Sequence, residues 1–287
     1  MSDSIRSILI IARLTLREAF RRRILWALVG LTVVIAVLTW WAFAKIAEVS
    51  PIQGPIEMLA VSQLLVMLAF MFSFVLAMTA VFAGSPSIGP DIENGLLLAV
   101  LARPIHRADV LLGRWLGLGL VLVAYSLVAG YLELAAVDLA AGYLPSDPMM
   151  APPYLAAESL VLLTLALVFS TRISSVAGGA IAVVGFGLAW MAGVAGGVGE
   201  ALNSDVLRTA GVVSRLILPS NVLWNGSAAA LTPTQDILNA GNLGSPELYK
   251  FSPFSGVTPP IEWLAWCAIW TIGMLALGAW LLRRREV

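Results

Sequence analysis

Six long apolar runs recur along the chain, divided by stretches rich in charge, proline or glycine. They are Ile24–Ile46, Met58–Gly84, Leu116–Tyr143, Tyr154–Ser170, Val176–Gly199 and Ile261–Leu282. A helix needs about 20 apolar residues to cross a hydrocarbon layer roughly 30 Å thick. Lipid cannot satisfy backbone polar groups, and no strand-like alternation is visible, so the runs predict six transmembrane helices in an all-α integral membrane protein. The fourth run is the shortest. Ahead of the first, Ser4–Phe20 has a helical amphipathic pattern. Arg6, Arg13 and Arg17 lie at spacings of seven and four, hence on one face, while Ile5, Ile8, Leu9, Ala12, Leu16 and Phe20 cover the other. Residues 1–23 therefore predict an amphipathic helix lying in the interface plane. Residues 24–287 form the six-helix domain.

Charge adds orientation. With the N-terminus inside, the inner segments collect Arg6, Arg13, Arg17, Arg21, Arg22, Arg23, Arg103, Arg107, Arg114, Arg172, Arg283, Arg284 and Arg285. The outer segments hold Lys45, Arg208, Arg215 and Lys250. That bias predicts both termini in the cytoplasm. The acidic residues Glu48, Glu57, Asp147, Glu158, Glu200 and Asp205 are assigned to the outer side. Composition agrees: 60% of the residues are hydrophobic and 12% charged, too little polar surface to cover a soluble core of this size. The Arg21–Arg23 triplet and the Ala42-Phe43-Ala44 tripeptide resemble parts of a cleavable signal peptide. The charged region is too long for one and the apolar run continues past Trp41, so a retained helix is expected.

Little catalytic chemistry is available. One cysteine, Cys267, and one histidine, His106, give no disulfide framework, metal site or Cys–His pair. Neither lysine, Lys45 or Lys250, follows a glycine, so there is no P-loop for nucleotide phosphates. No catalytic residue, bound cofactor or nucleic-acid partner is expected. Glu133 and Asp138 fall in the outer part of the third span, where an intramembrane carboxylate is a functional candidate or simply reaches interfacial water. Gly113-x-x-x-Gly117 and Gly193-x-x-x-Gly197 permit close helix packing.

The segments between spans carry the remaining information. The inner loop 85–115 is broken by Pro86, Gly89 and Pro90. Leu96–Ala102 within it is a short apolar helix candidate ended by Pro104, with Asp91 and Glu93 before it and Arg103 and Arg107 after it. It is too short to span. It docks in a groove of another protein, or lies on the membrane or its own bundle. The link Thr171–Ser175 makes spans four and five an antiparallel hairpin. The outer segment 200–260 contains two helix candidates, Val206–Leu218 and Val222–Leu231. It either caps the bundle or meets an extracytoplasmic partner.

The string Asp91-Ile-Glu93-Asn-Gly95-Leu-Leu-Leu-Ala-Val-Leu101-Ala-Arg103-Pro104-Ile-His-Arg107, followed by Leu-Leu-Gly113-Arg114, resembles the signature loop of ABC-2 type permeases. It is most similar to the branch that includes the permease of nitrous-oxide-reductase maturation. Ile11-Ala-Arg13-Leu-Thr-Leu-Arg17-Glu18-Ala-Phe20-Arg-Arg-Arg23 resembles the family's amphipathic N-terminal helix. Where relatives commonly have lysine after the glycine, this chain has Arg114, which keeps the charge.

The resemblance implies a non-catalytic permease subunit of an exporter in a bacterial-type inner membrane. It implies a homodimer of this chain with two cytoplasmic ATPase subunits, which bind ATP and magnesium. Asp91, Glu93, Leu97, Leu101, Arg103 and Arg107 would meet the ATPase, together with Arg13, Arg17 and Glu18 of the N-terminal helix. Two other readings stand beside it. One is a membrane anchor or assembly subunit of another complex. The other is an ion-coupled secondary transporter, which calls for internal repeats and mid-membrane ionisable residues.

Overall fold

The computed structural model describes residues 2–21, 23–49, 54–89, 106–233 and 256–284. Among these the secondary structure is helical throughout: α1 (Ser2–Arg21), α2 (Arg23–Val49), α3 (Pro55–Gly84), α4 (Arg107–Ala141), α5 (Ala151–Ser170), α6 (Ser175–Ala201), α7 (Asp205–Ile217), α8 (Ser220–Leu231) and α9 (Ile261–Arg283). Six are long and apolar enough to cross a membrane: Leu28–Val49 within α2, then α3, α4, α5, α6 and α9. Spans and helices agree closely except at the third. There α4 starts at Arg107, nine residues before the expected Leu116, so the loop expected over 85–115 is shorter than its charges suggested. Those charged and small residues remain helical because α1 packs on them.

The shortest span is the centre of the bundle. In α5, 72% of the membrane-length stretch is buried, against 17–39% in the other five spans. It needs no lipid-facing side, so its sequence has no polar or apolar stripe to advertise its place. Two apolar clusters stack along it. One joins Leu162, Leu163, Ala166 and Leu167 to Ala77, Val81, Ile88 and Leu111. The other joins Ala151 and Leu155 to Val61, Leu65, Leu76 and Trp224. Glu158 lies between them, 3% exposed, and accepts a 2.8 Å hydrogen bond from Ser73 Oγ on α3. Trp115 Nε1 on α4 donates to Thr164 Oγ1 on α5 at 2.8 Å. These bonds fix the rotation of α3 and α4 about the central helix, which apolar packing alone leaves loosely specified.

The segment after α6 behaves differently from the expected cap. Its two helices form close to the expected positions, but they turn back into the bundle. Asn203 makes the reversal with φ 52°, a left-handed value that asparagine tolerates. From there α7 descends along α6 with glycines at the contacts. A Cβ on Gly196 would lie 3.0 Å from the Gly211 Cα, and one on Gly199 would lie 2.7 Å from Leu207 Cβ. Larger residues would hold these backbones apart.

At the tip, Trp270 Nε1 of α9 donates to the Ile217 carbonyl at 2.9 Å, and Cys267 Sγ to the Pro219 carbonyl at 3.9 Å. Cys267 and Trp270 sit six and nine positions inside α9, about 9 and 14 Å from its start. The returning α8 is buried at every residue except Asn225 and Ala229. Its far end is tied by Tyr143 Oη to the Leu231 carbonyl and by Asp147 N–H to the Ala230 carbonyl. The re-entrant turn is tolerated because α9 supplies donors to its Ile217 and Pro219 carbonyls.

Candidate functional site

The candidate site is the end of the bundle that carries both chain termini. The first element there is α1, which has three faces. Ser4, Ile8, Ile11, Ala12, Thr15 and Ala19 form a strip at i, i+3 and i+4 spacing that faces α4. A Cβ on Gly113 would lie 2.6 Å from Ile11 Cβ, and one on Gly117 would lie 2.7 Å from Thr15 Cβ and 2.8 Å from the Ala12 carbonyl oxygen. Ser4 Oγ donates to Asp109 Oδ1 at 2.6 Å, which gives the buried carboxylate a partner at the start of the seam. The Gly113–Gly117 motif is therefore occupied within the chain, by the N-terminal helix.

Arg6, Arg13, Arg17 and Glu18 are on the exposed side of α1. Exposed Ile5, Leu9 and Phe20 lie beside them. Apolar side chains adjoining an arginine row suit a helix whose one face meets acyl chains while its arginines meet headgroups or a protein surface.

The loop 90–105 leaves and returns at this same end. Its start is held by Ile88, fully buried, and by Gly89, where a Cβ would stand 3.5 Å from the Ser170 carbonyl oxygen at the end of α5. Its return is held by Arg107, whose Nη1 donates to the Leu282 carbonyl at 3.2 Å. Arg172, in the short turn between α5 and α6, donates from Nη2 to the Leu281 carbonyl at 3.0 Å. The last carbonyls of a helix have no partner within it, and two arginines here supply donors and positive charge to those of α9. Arg284 completes the corner by lying 4.3 Å over the Trp280 ring.

Of the residues singled out in the sequence, Arg13, Arg17 and Glu18 are thus brought to one exposed face, and Arg107 has an internal bond to α9. Asp91, Glu93, Leu97, Leu101 and Arg103 lie outside the described residues. Sequence reading missed Arg172 as a brace and assigned Glu158 to the outer side. The position of Glu158, five residues into an uninterrupted apolar run, was the available signal. Glu133 is also turned inward, against Thr39 of α2. Among the described residues no group of His, Cys, Asp and Glu could hold a metal ion.

At one end of the six-span bundle the amphipathic α1 thus lies docked on the first turns of α4. Residues 9–287 match the family described as ABC-2 family transporter protein. The chain belongs to that family. It is also similar to the probable ABC transporter permease protein NosY of Pseudomonas aeruginosa, 28% identical over 295 aligned residues that cover 96% of this chain and 98% of the relative. An ABC-2 permease is a membrane subunit and not a catalyst. In this one the described residues at the terminal end offer arginines and packed helices, with no nucleotide-binding motif in the sequence.

Proposed function

We propose that this ABC-2 permease is the membrane half of an exporter whose ATPase is a separate chain. Two copies pair in a bacterial-type cytoplasmic membrane, with both termini inside, and two ATPase subunits bind ATP and magnesium beneath them. The observation that supports this best is the convergence of four elements at one end of the bundle. There α1, the start of α4, the α5–α6 turn and the end of α9 are joined by the Ser4–Asp109, Arg107–Leu282 and Arg172–Leu281 bonds. A push on the loop would reach α4 and α9 through these contacts rather than being absorbed by slack chain. On this reading Asp91, Glu93, Arg103 and Arg107 make polar contacts with the ATPase, Leu97 and Leu101 give it apolar anchors, and Arg13, Arg17 and Glu18 form the flank. The outer segment 200–260 is where an extracytoplasmic partner would bind.

Purification of the tagged chain in mild detergent tests the reading. A stoichiometric ATP-binding subunit with hydrolytic activity is expected. A complex lacking such a subunit would refute it in favour of a membrane anchor. Glu93→Arg is expected to lower ATP-driven function without changing membrane insertion, and undiminished ATPase stimulation in that variant would remove Glu93 from the contact.

A further inference from the structure

Arg215 stands two residues before the end of α7. Its place in the sequence assigns it to the outer segment, but the re-entrant fold carries it part-way down the bundle. Ser214 Oγ beside it donates to the Ala189 carbonyl at 3.5 Å, and Ala189 is near the midpoint of α6. Ile217, two residues on, meets Trp270, nine positions inside α9. Two residues of rise bring the Arg215 backbone to about 10 Å below the start of α9, still within a hydrocarbon layer roughly 30 Å thick. Helical side chains lean toward the helix N-terminus, so this one leans toward the bundle end opposite the chain termini. There an arginine snorkels between acyl chains and headgroups.

The guanidinium has no counter-charge among the described residues. Nε is buried without a hydrogen-bond partner. Nη1 and Nη2, equally without a partner among the described residues, are not buried. Arg208, seven positions earlier and on the same face of α7, shows the contrast. Its guanidinium donates to Asp205 Oδ1, Asn203 Oδ1 and the Glu200 carbonyl. That level is two turns, about 10 Å, beyond Arg215.

A carboxyl group at such a depth can neutralise itself by binding a proton, whereas a guanidinium keeps its charge in a protein. Charged side chains inside a membrane pair with a counter-charge or line a pathway. The open edge of the guanidinium offers parallel N–H donors, which match two oxygens of a phosphate. Toward the membrane centre, Leu188 next to Ala189 and Leu216 next to Arg215 are exposed and apolar. An acyl chain hanging from that phosphate would lie along them.

We propose that Arg215 binds a phosphate group through Nη1 and Nη2. The apolar surroundings favour the headgroup of an anionic lipid from the leaflet at that end, the outer one in the orientation proposed above, over free phosphate. The site is remote from the face proposed to meet the ATPase, and the two stand or fall separately.

The test uses the full chain in an uncharged detergent, titrated with dioctanoyl phosphatidylglycerol, dioctanoyl glycerol and inorganic phosphate. Native mass spectrometry reads both the bound molecules and the number of copies. Wild type is expected to bind phosphatidylglycerol saturably, and Arg215→Gln at least about tenfold more weakly, because a charge-assisted pair is lost. Arg208→Gln removes an arginine already satisfied by its neighbours and should bind as wild type. Dioctanoyl glycerol, which lacks the phosphate, should not distinguish wild type from Arg215→Gln. Inorganic phosphate held with the same dependence on Arg215 would make the aqueous phase the source, and its failure to bind would make lipid the source. Two results would each overturn the proposal. One is phosphatidylglycerol bound equally by wild type and Arg215→Gln, or weakened equally by Arg208→Gln, which leaves boundary lipid only. The other is a dimer that Arg215→Gln separates without weakening the lipid, which would give the guanidinium to an acid of the second copy.

Discussion

Gly117→Ala adds one methyl group at one of the two closest approaches between α1 and α4. Its Cβ would stand 2.7 Å from Thr15 Cβ and 2.8 Å from the Ala12 carbonyl oxygen. Carbon contacts are comfortable at 3.5–4.0 Å, so the helices must separate by about 1 Å. A rotamer change cannot relieve this, because the obstructing atoms are backbone or Cβ. Overpacking of this kind costs about 1–3 kcal/mol, partly offset by the roughly 1 kcal/mol by which alanine favours a helix over glycine. The net loss falls on the α1 seam, since the bundle itself is built on α5. We therefore expect the unfolding midpoint to change little while α1 undocks. Hydrogen–deuterium exchange should show loss of protection over residues 4–20 alone, and ATPase stimulation in the reconstituted complex should fall with it. Gly30→Ala is the control, because a Cβ there meets nothing within 4 Å. If Gly117→Ala keeps full protection of α1 and full stimulation, the seam is not a docking surface and the reasoning fails.

Two further outcomes follow from the buried contacts. Glu158→Gln retains an acceptor for Ser73 and should unfold close to wild type, whereas Glu158→Ala strands that hydroxyl beside a new void and should lose about 2–4 kcal/mol, as read by thermal unfolding in detergent. Gly211→Val places a branched side chain where a Cβ would already lie 2.8 Å from Gly196 Cα. It should displace the α7–α8 hairpin and lower the unfolding midpoint by several degrees, and an unchanged midpoint would show that the hairpin packs more loosely than the structure has it.

The number and type of spans were legible because length and hydropathy alone decide whether a helix can remain in lipid. The amphipathic α1 and the two short helices after α6 were legible for a similar reason, since their periodicity is local. The candidate site was legible only in part. Arg6, Arg13 and Arg17 announce an exposed face through their spacing. Arg107 and Arg172, 65 positions apart, announce nothing about the carbonyls of Leu281 and Leu282 that they brace.

What the sequence by itself determined is therefore the inventory: six spans, an amphipathic N-terminal helix and a family. Tertiary structure alone decided the arrangement. It made the least conspicuous span the centre, drew the expected outer cap down into the bundle, assigned Gly113 and Gly117 to α1, and turned Glu133 and Glu158 inward. The physical reason is that hydropathy records a residue's preference for lipid or protein over water, and does not distinguish the two. Which neighbour a glycine admits, or which hydroxyl a buried carboxylate meets, depends on helices far away in the chain.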